Sequence, residues 1–323
     1  AMDRLAFVGA SGMGALSFSP TSEYQLASTG DIDLAKLGLE AQAFFDGQTE
    51  EVLADLVAAG SSGGARPKAQ FYISPDEPDR CRTVARPGDE AWLVKFTSRN
   101  LPLGHEEGLC EAVYLHLAGK LGLEPPEWRL FEAPEKSGAR AWLGVKRFDW
   151  ISHPQKAGRL HMHSACGMLD ADFRTPSLDY EDLIKASRHL CRSPAVGKLQ
   201  FRRAMFNLFA CNQDDHSKNW AFLQDDAGDW VPAPFYDVTF SPHPYQEHAT
   251  AYAGFGKNPP LKAIQALAAR AGYAKWEQAQ RDIEEIVTFL ADFAVVARDF
   301  GVDSGVAELI DRQLAGLRDG YGG

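Results

Sequence analysis

The sequence lacks several features that mark special classes of protein. Its 323 residues include five cysteines, an odd number without C-x-x-C spacing, so neither a zinc site nor a disulfide framework is indicated. No apolar run reaches the length of a membrane span and no signal peptide precedes the first predicted strand, so we expect a cytoplasmic protein without a membrane partner. Acidic residues outnumber basic ones, and the net charge of −11 argues against unaided nucleic-acid binding, which requires a basic face.

What remains is the composition of an ordinary globular protein, with 45% hydrophobic and 24% charged residues. The chain is long enough for two domains, each with its own core. A predicted strand over residues 139–148 ends in the run V-K-R-F-D, which is a natural place for a linker. We therefore expect one domain over residues 1–149 and a second over residues 150–323.

The most informative stretch is the polar loop at residues 211–219. Apolar residues recur at helical spacing before it and predict a buried amphipathic helix over residues 196–210. Two short apolar runs follow it, at 220–223 and 230–238, and the Gly-containing turn between them predicts a hairpin. Because a hairpin returns the chain to its starting point, we expect Asp237 to lie beside Asp214 and Asn219.

The side chains of Asp214, Asn219 and Asp237 suit magnesium-dependent phosphoryl transfer. Mg²⁺ takes hard oxygen ligands, usually one or two protein groups completed by substrate phosphates. A kinase also needs a carboxylate that orients the attacking hydroxyl, and D-x-x-x-x-N followed by a metal-binding Asp is the arrangement of protein kinases. Asp214 would then be the base, with Asn219 and Asp237 as metal ligands. The alternative is a solvated acidic loop, because Asp, Asn and Ser favour turns.

Two features of the first half of the chain fit a nucleotide. Residues 60–69 are rich in Gly and Ser, whose backbone N–H groups can form a nest for phosphates; the alternative is a flexible surface loop. Lys95 lies within the apolar run 90–97, where an unpaired ammonium would be costly unless it reaches phosphates. The alternative for Lys95 is an edge-strand lysine that faces water. Glu111, on a predicted helix over residues 104–121, could pair with Lys95; the alternative is a glutamate that faces solvent.

The remaining pattern predicts a mixed succession of strands and helices. The first twenty residues predict a β-hairpin, with strands at 4–8 and 14–19 joined by G-x-x-G-x-G. Further strands are predicted at 70–74 and 128–131. Helical patterning is found over residues 31–45, 49–59, 178–190, 261–272, 275–299 and 304–318.

The order of the motifs is more specific than any one of them. G-A-R-P-K-A, V-K-F, K-R-F-D, D-D-H-S-K-N and P-F-Y-D follow one another along the chain. In this order they resemble the HipA family of bacterial serine/threonine kinases, the toxins of HipBA-type toxin–antitoxin systems, from Arg4 to about Tyr321. The resemblance implies an α+β, two-lobed protein-kinase-like fold, with a smaller mixed α/β N-lobe and a mainly helical C-lobe.

The resemblance also implies roles for individual residues. It makes Asp214 the catalytic base, Asn219 and Asp237 the Mg²⁺ ligands, and residues 146–148 the hinge that holds adenine. The loop from Ser61 to Lys68 would cover ATP, and autophosphorylation of Ser61 or Ser62 would eject that loop and inactivate the kinase. The full set of candidate ATP-binding residues is Ser61, Ser62, Gly63, Gly64, Ala65, Arg66, Lys68, Lys95, Lys146, Phe148, His216, Lys218 and Tyr236.

The implied partners follow from the same resemblance. They are a helix-turn-helix, HipB-like antitoxin, DNA through that antitoxin only, and an aminoacyl-tRNA synthetase as acceptor. Full-length family toxins carry a further N-terminal segment, so we expect a truncated chain or a short HipT-like form with a separate small HipS-like protein. Two alternatives keep the same site: a nucleotide-binding pseudokinase acting as co-repressor with a DNA-binding antitoxin, and a small-molecule or lipid kinase.

Overall fold

The structure is a computed structural model, and it describes residues 2–9, 11–22, 31–48, 66–155, 157–175 and 177–320. The chain forms two compact units. The first contains Ala1–Ala112 and Pro126–Met162, and the second contains Val113–Pro125 and His163–Gly323. The predicted boundary after residue 149 was placed at the end of a motif rather than of a compact unit, and it stays a prediction.

The first unit contains both strands and helices, whereas helices dominate the second. The described helices are α1 (Met2–Val8), α2 (Leu34–Phe45), α3 (Glu107–Lys120), α4 (Ala165–Met168), α5 (Tyr180–Leu190), α6 (Pro194–Phe209), α7 (Leu261–Ala271), α8 (Trp276–Ala291), α9 (Phe293–Asp299) and α10 (Ser304–Asp319). The described strands are β1 (Asp31–Ile32), β2 (Lys68–Ser74), β3 (Glu77–Arg82), β4 (Glu90–Lys95), β5 (Trp128–Glu132), β6 (Ala141–Lys146), β7 (Trp150–Ile151), β8 (Gly158–Arg159), β9 (His161–Ser164), β10 (Leu178–Asp179), β11 (Ala221–Gln224), β12 (Trp230–Pro232) and β13 (Thr250–Ala251). Among the described helices, none is long and apolar enough to cross a membrane.

The first unit is built on a six-stranded antiparallel sheet in the order β1-β3-β2-β4-β6-β5. Leu37 of α2 belongs to a buried apolar cluster with Phe71, Val94 and Trp142 from the central strands. Each large apolar side chain buried in this way contributes about 1.5–3 kcal/mol. The cluster therefore fixes the central strands, and it holds β2 and β4 in the register that places Lys68 opposite Lys95.

The N-terminal hairpin prediction was wrong. Residues 2–8 form α1, and residues 14–19 are not a strand. A short apolar run fits a strand or a helix equally well, so the pattern alone could not decide. Gly9 ends the helix with φ of 51°, a conformation open to glycine. The loop after it is held by the Arg147 guanidinium, which donates to Gly12 O at 2.9 Å, rather than by strand pairing.

Four other predicted elements have different boundaries in the structure. Asp33 caps α2 by accepting from the backbone N–H of Ala35 at 2.9 Å, so the helix begins at Leu34 and β1 precedes it. Asp179 caps α5 in the same way and ends the short strand β10. The predicted C-terminal helix 275–299 is interrupted at Asp292, and the predicted strand 230–238 ends at Pro232. The predicted helix 49–59 lies outside the described residues.

The second unit is organised around α6, which packs against α5, α7, α8 and α10. Ten of its 16 residues are buried, so it is a core helix as the pattern predicted. The buried Tyr114 hydroxyl donates to Ala210 O at 2.6 Å and satisfies a carbonyl at its C-terminal end. Arg203 on α6 donates to Leu123 O at 2.9 Å and to Ala233 O at 3.1 Å, which fastens the end of the hairpin to the helix.

Substitution by alanine is expected to have opposite effects at two helical glycines. A Cβ at Gly38 would collide with the fully buried Trp142 ring, whereas a Cβ at Gly316 would meet no atom within 4 Å. We expect Gly38→Ala to lower the free energy of unfolding by about 1–3 kcal/mol through overpacking. Gly316→Ala should raise it by about 0.5–1 kcal/mol through helix propensity. Urea denaturation of both variants is the measurement, and stabilisation by both would contradict the packing of α2 on the sheet.

Candidate active site

The loop after α6 presents Asp214 to solvent. The chain leaves α6 through Cys211, whose φ of 53° turns the backbone sharply. The Asp214 carboxylate is 70% exposed, while its backbone N–H donates to the hydroxyl of Ser241 at 3.2 Å. The Asn219 side-chain amide donates to Asp214 O at 2.8 Å and closes the loop. Asp214 is therefore an accessible carboxylate on a backbone held from two sides.

The neighbouring Asp215 has the opposite environment. Its side chain is fully buried and accepts hydrogen bonds from the Tyr180 hydroxyl at 2.6 Å and from the Thr250 backbone N–H at 3.0 Å; the His248 Nδ1 atom lies 3.0 Å from it. Burial, together with the Asp215 charge, raises the pKa of Tyr180 well above its usual value, so its hydroxyl stays protonated and donates. Three groups, 33 to 35 residues away in sequence, thus anchor the loop. These three partners could not be found from the sequence, because nothing in their spacing links them to Asp215.

The hairpin returns the chain as predicted. β11 and β12 pair antiparallel with Leu223 opposite Val231, and Asp237 follows five residues after β12. The Tyr236 hydroxyl donates to Lys218 O at 2.6 Å, which ties the segment carrying Asp237 to the loop carrying Asn219. Burial, then the adjacent Asp237, raises the pKa of Tyr236, so this donor also stays protonated. Tyr236, a candidate ATP contact, thus holds the backbone together here.

Asp237 has a backbone φ of 53°, in the left-handed region that non-glycine residues rarely adopt. Such a conformation costs of order 1–3 kcal/mol and persists where the surroundings enforce it. Strain of this kind concentrates at functional sites. It is a reason, independent of the motif, to place Asp237 in the candidate site.

The oxygen donors in this loop fit a magnesium ion. Because the Asn219 nitrogen donates to Asp214 O, its Oδ1 atom points elsewhere and has no partner within the described part of the chain. Asn219 Oδ1 and the Asp237 carboxylate would supply two hard ligands, which matches the number that Mg²⁺ takes from proteins when phosphates complete its shell. Across the described residues, no group of three or more His, Cys, Asp or Glu side chains could hold a metal ion by itself.

The first unit contains a separate group of buried charges. The Lys95 ammonium lies 2.6 Å from Glu111, and their side chains are 8% and 1% exposed, so Glu111 pairs with Lys95 rather than facing solvent. Arg66 lies 3.3 Å from Glu111 and 2.8 Å from Glu107. Burial raises the pKa of Glu107, although Arg66 opposes the shift. Breaking a buried ion pair by removing one partner typically costs about 3–5 kcal/mol, so Glu111 fixes both cations.

Lys68 adds to the positive charge of this group. It lies directly opposite Lys95 in the β2–β4 ladder. Residues directly opposite on neighbouring strands project from the same face, where like charges are unfavourable unless an anion compensates them. Lys68, Lys95 and Arg66 are therefore three cationic side chains of the first unit, and their contacts with ATP phosphates stay predictions.

The K-R-F-D motif has several local partners, and the hinge expected at residues 146–148 stays a prediction. Lys146 pairs with Glu90 at 2.6 Å and Glu127 at 2.9 Å. Burial alone would lower the pKa of Lys146, but the hydrogen bonds to these carboxylates raise it. Arg147 and Asp149 form a buried pair at 2.6 Å, and Asp149 also accepts from the Gly14 backbone N–H. Lys146 and Arg147 use their own backbone N–H groups within the sheet, and Phe148 is half-buried.

The other candidate ATP contacts in the second unit have local partners. His216 Nε2 lies 3.8 Å from Asp214, and its ring packs edge-on against Phe173 at 5.8 Å. The Lys218 ammonium lies 3.3 Å from the centre of the Phe173 ring, in a cation–π contact. Ser61, Ser62, Gly63, Gly64 and Ala65 lie outside the described residues, so their roles stay predictions.

Comparisons with solved structures identify the fold class. A solved structure of the Shewanella oneidensis MR-1 toxin–antitoxin system, HipA and HipB with operator DNA, matches with a TM-score of 0.61 at 18% identity, covering 81% of this chain and 65% of that chain. The Helicobacter pylori proinflammatory kinase CtkA matches with a TM-score of 0.44 at 12% identity, over 72% of this chain and 88% of that chain, which is too weak to carry an argument. The protein has a kinase-like α+β fold, with a mixed unit and a mainly helical unit, as predicted.

The sequence comparisons give the family. The HipA-like C-terminal domain family matches residues 60–295, which is more than half of the chain. A protein of Sinorhizobium fredii named "Putative kinase Y4mE" is 30% identical over 137 residues, covering 40% of this chain and 31% of the relative. The chain belongs to the HipA family, which confirms the resemblance found in the motifs. It matches about a third of this curated relative and about two thirds of the solved structure.

The adjacent carboxylates predict a sharp contrast between two substitutions. Asp215→Asn should lower the free energy of unfolding by about 2–4 kcal/mol, because an amide nitrogen would face buried donors. Asp214→Asn should change it by less than about 0.5 kcal/mol, because the side chain is solvated. Chemical denaturation of the two variants measures both values. Equal effects would mean that Asp215 does not anchor the loop.

Proposed function

We propose that this chain is an ATP- and Mg²⁺-dependent protein serine/threonine kinase, the toxin of a bacterial toxin–antitoxin module acting in the cytoplasm. The observation that carries the proposal is the contrast between Asp214, 70% exposed, and Asp215, buried among three hydrogen-bond partners. Asn219 and the segment of Asp237 are hydrogen-bonded to the same loop. An accessible carboxylate beside two oxygen ligands on a fixed loop is what phosphoryl transfer requires.

In the proposed reaction, Asp214 orients the acceptor hydroxyl. The new bond forms between the hydroxyl oxygen and the γ-phosphorus, the bond to the β–γ bridging oxygen breaks, and ADP leaves. The hydroxyl proton passes to Asp214. Lys95, with Arg66 and Lys68, would contact the phosphates, and Asn219 and Asp237 would hold Mg²⁺. Bound Mg²⁺ would supply neutralisation of the phosphate charge.

Membership of the family supports the proposed partners. The Shewanella relative is found with HipB and operator DNA. By that relationship we propose a HipB-like helix-turn-helix antitoxin, with DNA contacted through it, and a separate small HipS-like protein. The proposed acceptor is an aminoacyl-tRNA synthetase. Autophosphorylation of Ser61 or Ser62 is the proposed means of self-inactivation.

Intact-mass spectrometry after incubation with Mg-ATP tests the activity. We expect one added phosphate, located on the peptide with Ser61 and Ser62, and a rate at least about 100-fold lower in Asp214→Asn, because a positioned base contributes at least that factor. Asp226→Asn, with the same charge change at an exposed hairpin residue, is the matched control and should keep the wild-type rate.

Two results would contradict parts of the proposal. Ordinary turnover by Asp214→Asn would remove that residue from the reaction. If no phosphate is added to the wild-type protein, aminoacyl-tRNA synthetases are offered next as acceptors. Nucleotide binding without transfer to any of them would favour the pseudokinase alternative.

A further inference from the structure

The second unit contains a groove that the proposed phosphoryl transfer does not use. It has a volume of about 1110 Å³. One wall comes from residues 242–261, which follow the segment of Asp237, and the other comes from α10. Leu208 and Phe209 at the end of α6 also line it, as does Gln213, the residue before Asp214. The groove therefore extends to the sequence neighbour of the proposed base.

One face of α10 lines this groove and is not covered by the described part of the chain. The face is separate from the buried one, which carries Ala307, Ile310 and Leu314. Its residues lie three or four positions apart from one another, as a single helix stripe requires: Leu309, Arg312, Gln313, Gly316 and Leu317, with Gly320 just after the helix. Leu309 is 45% exposed, and a side chain at Gly316 would meet open space. A stripe with a glycine at its centre allows another chain to approach closely.

The charge of the groove is the reverse of the charge of the whole protein. No Asp or Glu is found among its described lining residues, although the chain has 44 of them and a net charge of −11. Lys257 and Arg312 both line it and are exposed. Within the described ranges, neither takes part in an ion pair; the Arg312 guanidinium donates only to the Glu308 carbonyl at 3.3 Å. Two unpaired cations in such a groove attract carboxylates.

The groove wall is attached to the loop that carries Asp214. The His243 backbone N–H donates to Gln213 Oε1 at 2.7 Å, and the Ala249 N–H donates to Gln213 O at 3.1 Å. The Ser241 hydroxyl accepts from the Asp214 N–H at 3.2 Å. Residues on both sides of the Gln213–Asp214 peptide bond are therefore fixed to the wall. A chain lying in the groove is held in a set position relative to Asp214.

We propose that this groove binds the acceptor protein, through an extended segment that carries acidic and apolar side chains beside the phosphorylated hydroxyl. The inference rests on the proposed kinase function and specifies its acceptor. Leu261 and Leu309 provide apolar contacts, while Lys257 and Arg312 pair with the carboxylates. Nucleic acid fits poorly, because it requires a run of cations along its phosphates and these two stand among leucines and prolines.

The test uses pools of dodecapeptides with one central serine and degenerate flanks, enriched in Asp, Glu and Leu or in Lys, Arg and Leu. Transfer of labelled phosphate from Mg-ATP to each pool gives an acidic-to-basic ratio. We expect a ratio of about ten for the wild-type protein and a loss of that preference in Lys257→Glu/Arg312→Glu, because two surface pairs together contribute about a factor of ten. Lys262→Glu/Arg281→Glu makes the same charge change at exposed residues outside the groove and should keep the ratio.

A steric pair tests the groove without changing charge. Gly316→Trp should fill it and lower transfer to the acidic pool at least about tenfold, while Val295→Trp, which adds the same side chain at an exposed position of α9 outside the groove, should not. An equal change of ratio in both charge-reversed variants, or no preference in the wild-type protein, would overturn the inference. ATP binding is measured in parallel by calorimetry. Bound ATP with no transfer to either pool would also overturn the inference, whereas no ATP binding would mean that the proposed kinase function itself fails.

Discussion

The buried carboxylate of Asp215 is the interaction on which the candidate active site depends. A fully buried carboxyl side chain is tolerated only when hydrogen-bond partners surround it, and the Tyr180 hydroxyl and Thr250 backbone N–H provide that compensation, with His248 beside it. These groups come from α5, from β13 and from the segment before β13, so the network joins separate parts of the second unit. Asp214 can be exposed and still held in place because its neighbour is buried.

The same principle operates in the first unit with the charges arranged differently. Glu111 is almost completely buried and is shared by Lys95 and Arg66, so its desolvation is compensated by two cations. In each unit, then, a buried carboxylate is tolerated because hydrogen-bond donors or cations surround it.

Much of this arrangement could be predicted from sequence, and the exceptions have physical causes. The order of the motifs identified the family, the 3.6-residue spacing of apolar residues found α6, and the Gly-containing turn located the hairpin. The hairpin prediction for the first twenty residues was wrong, because the loop after α1 is held by Arg147, more than 130 residues away. In the K-R-F-D motif, the sequence did not indicate that Arg147 and Asp149 are buried partners, and the hinge stays a prediction. Long-range hydrogen bonds such as those of Asp215 leave no local pattern.

The central proposal is that this protein binds Mg-ATP, with Lys95 as a contact of the phosphates and Asp237 as a ligand of Mg²⁺. Isothermal titration calorimetry of ATP with and without Mg²⁺ tests it most directly, on the wild-type protein, Lys95→Met and Asp237→Asn. The account predicts that Mg²⁺ strengthens binding to the wild-type protein, that Lys95→Met weakens binding with or without the metal, and that Asp237→Asn removes the strengthening by Mg²⁺. Unchanged affinity in both variants would contradict the account.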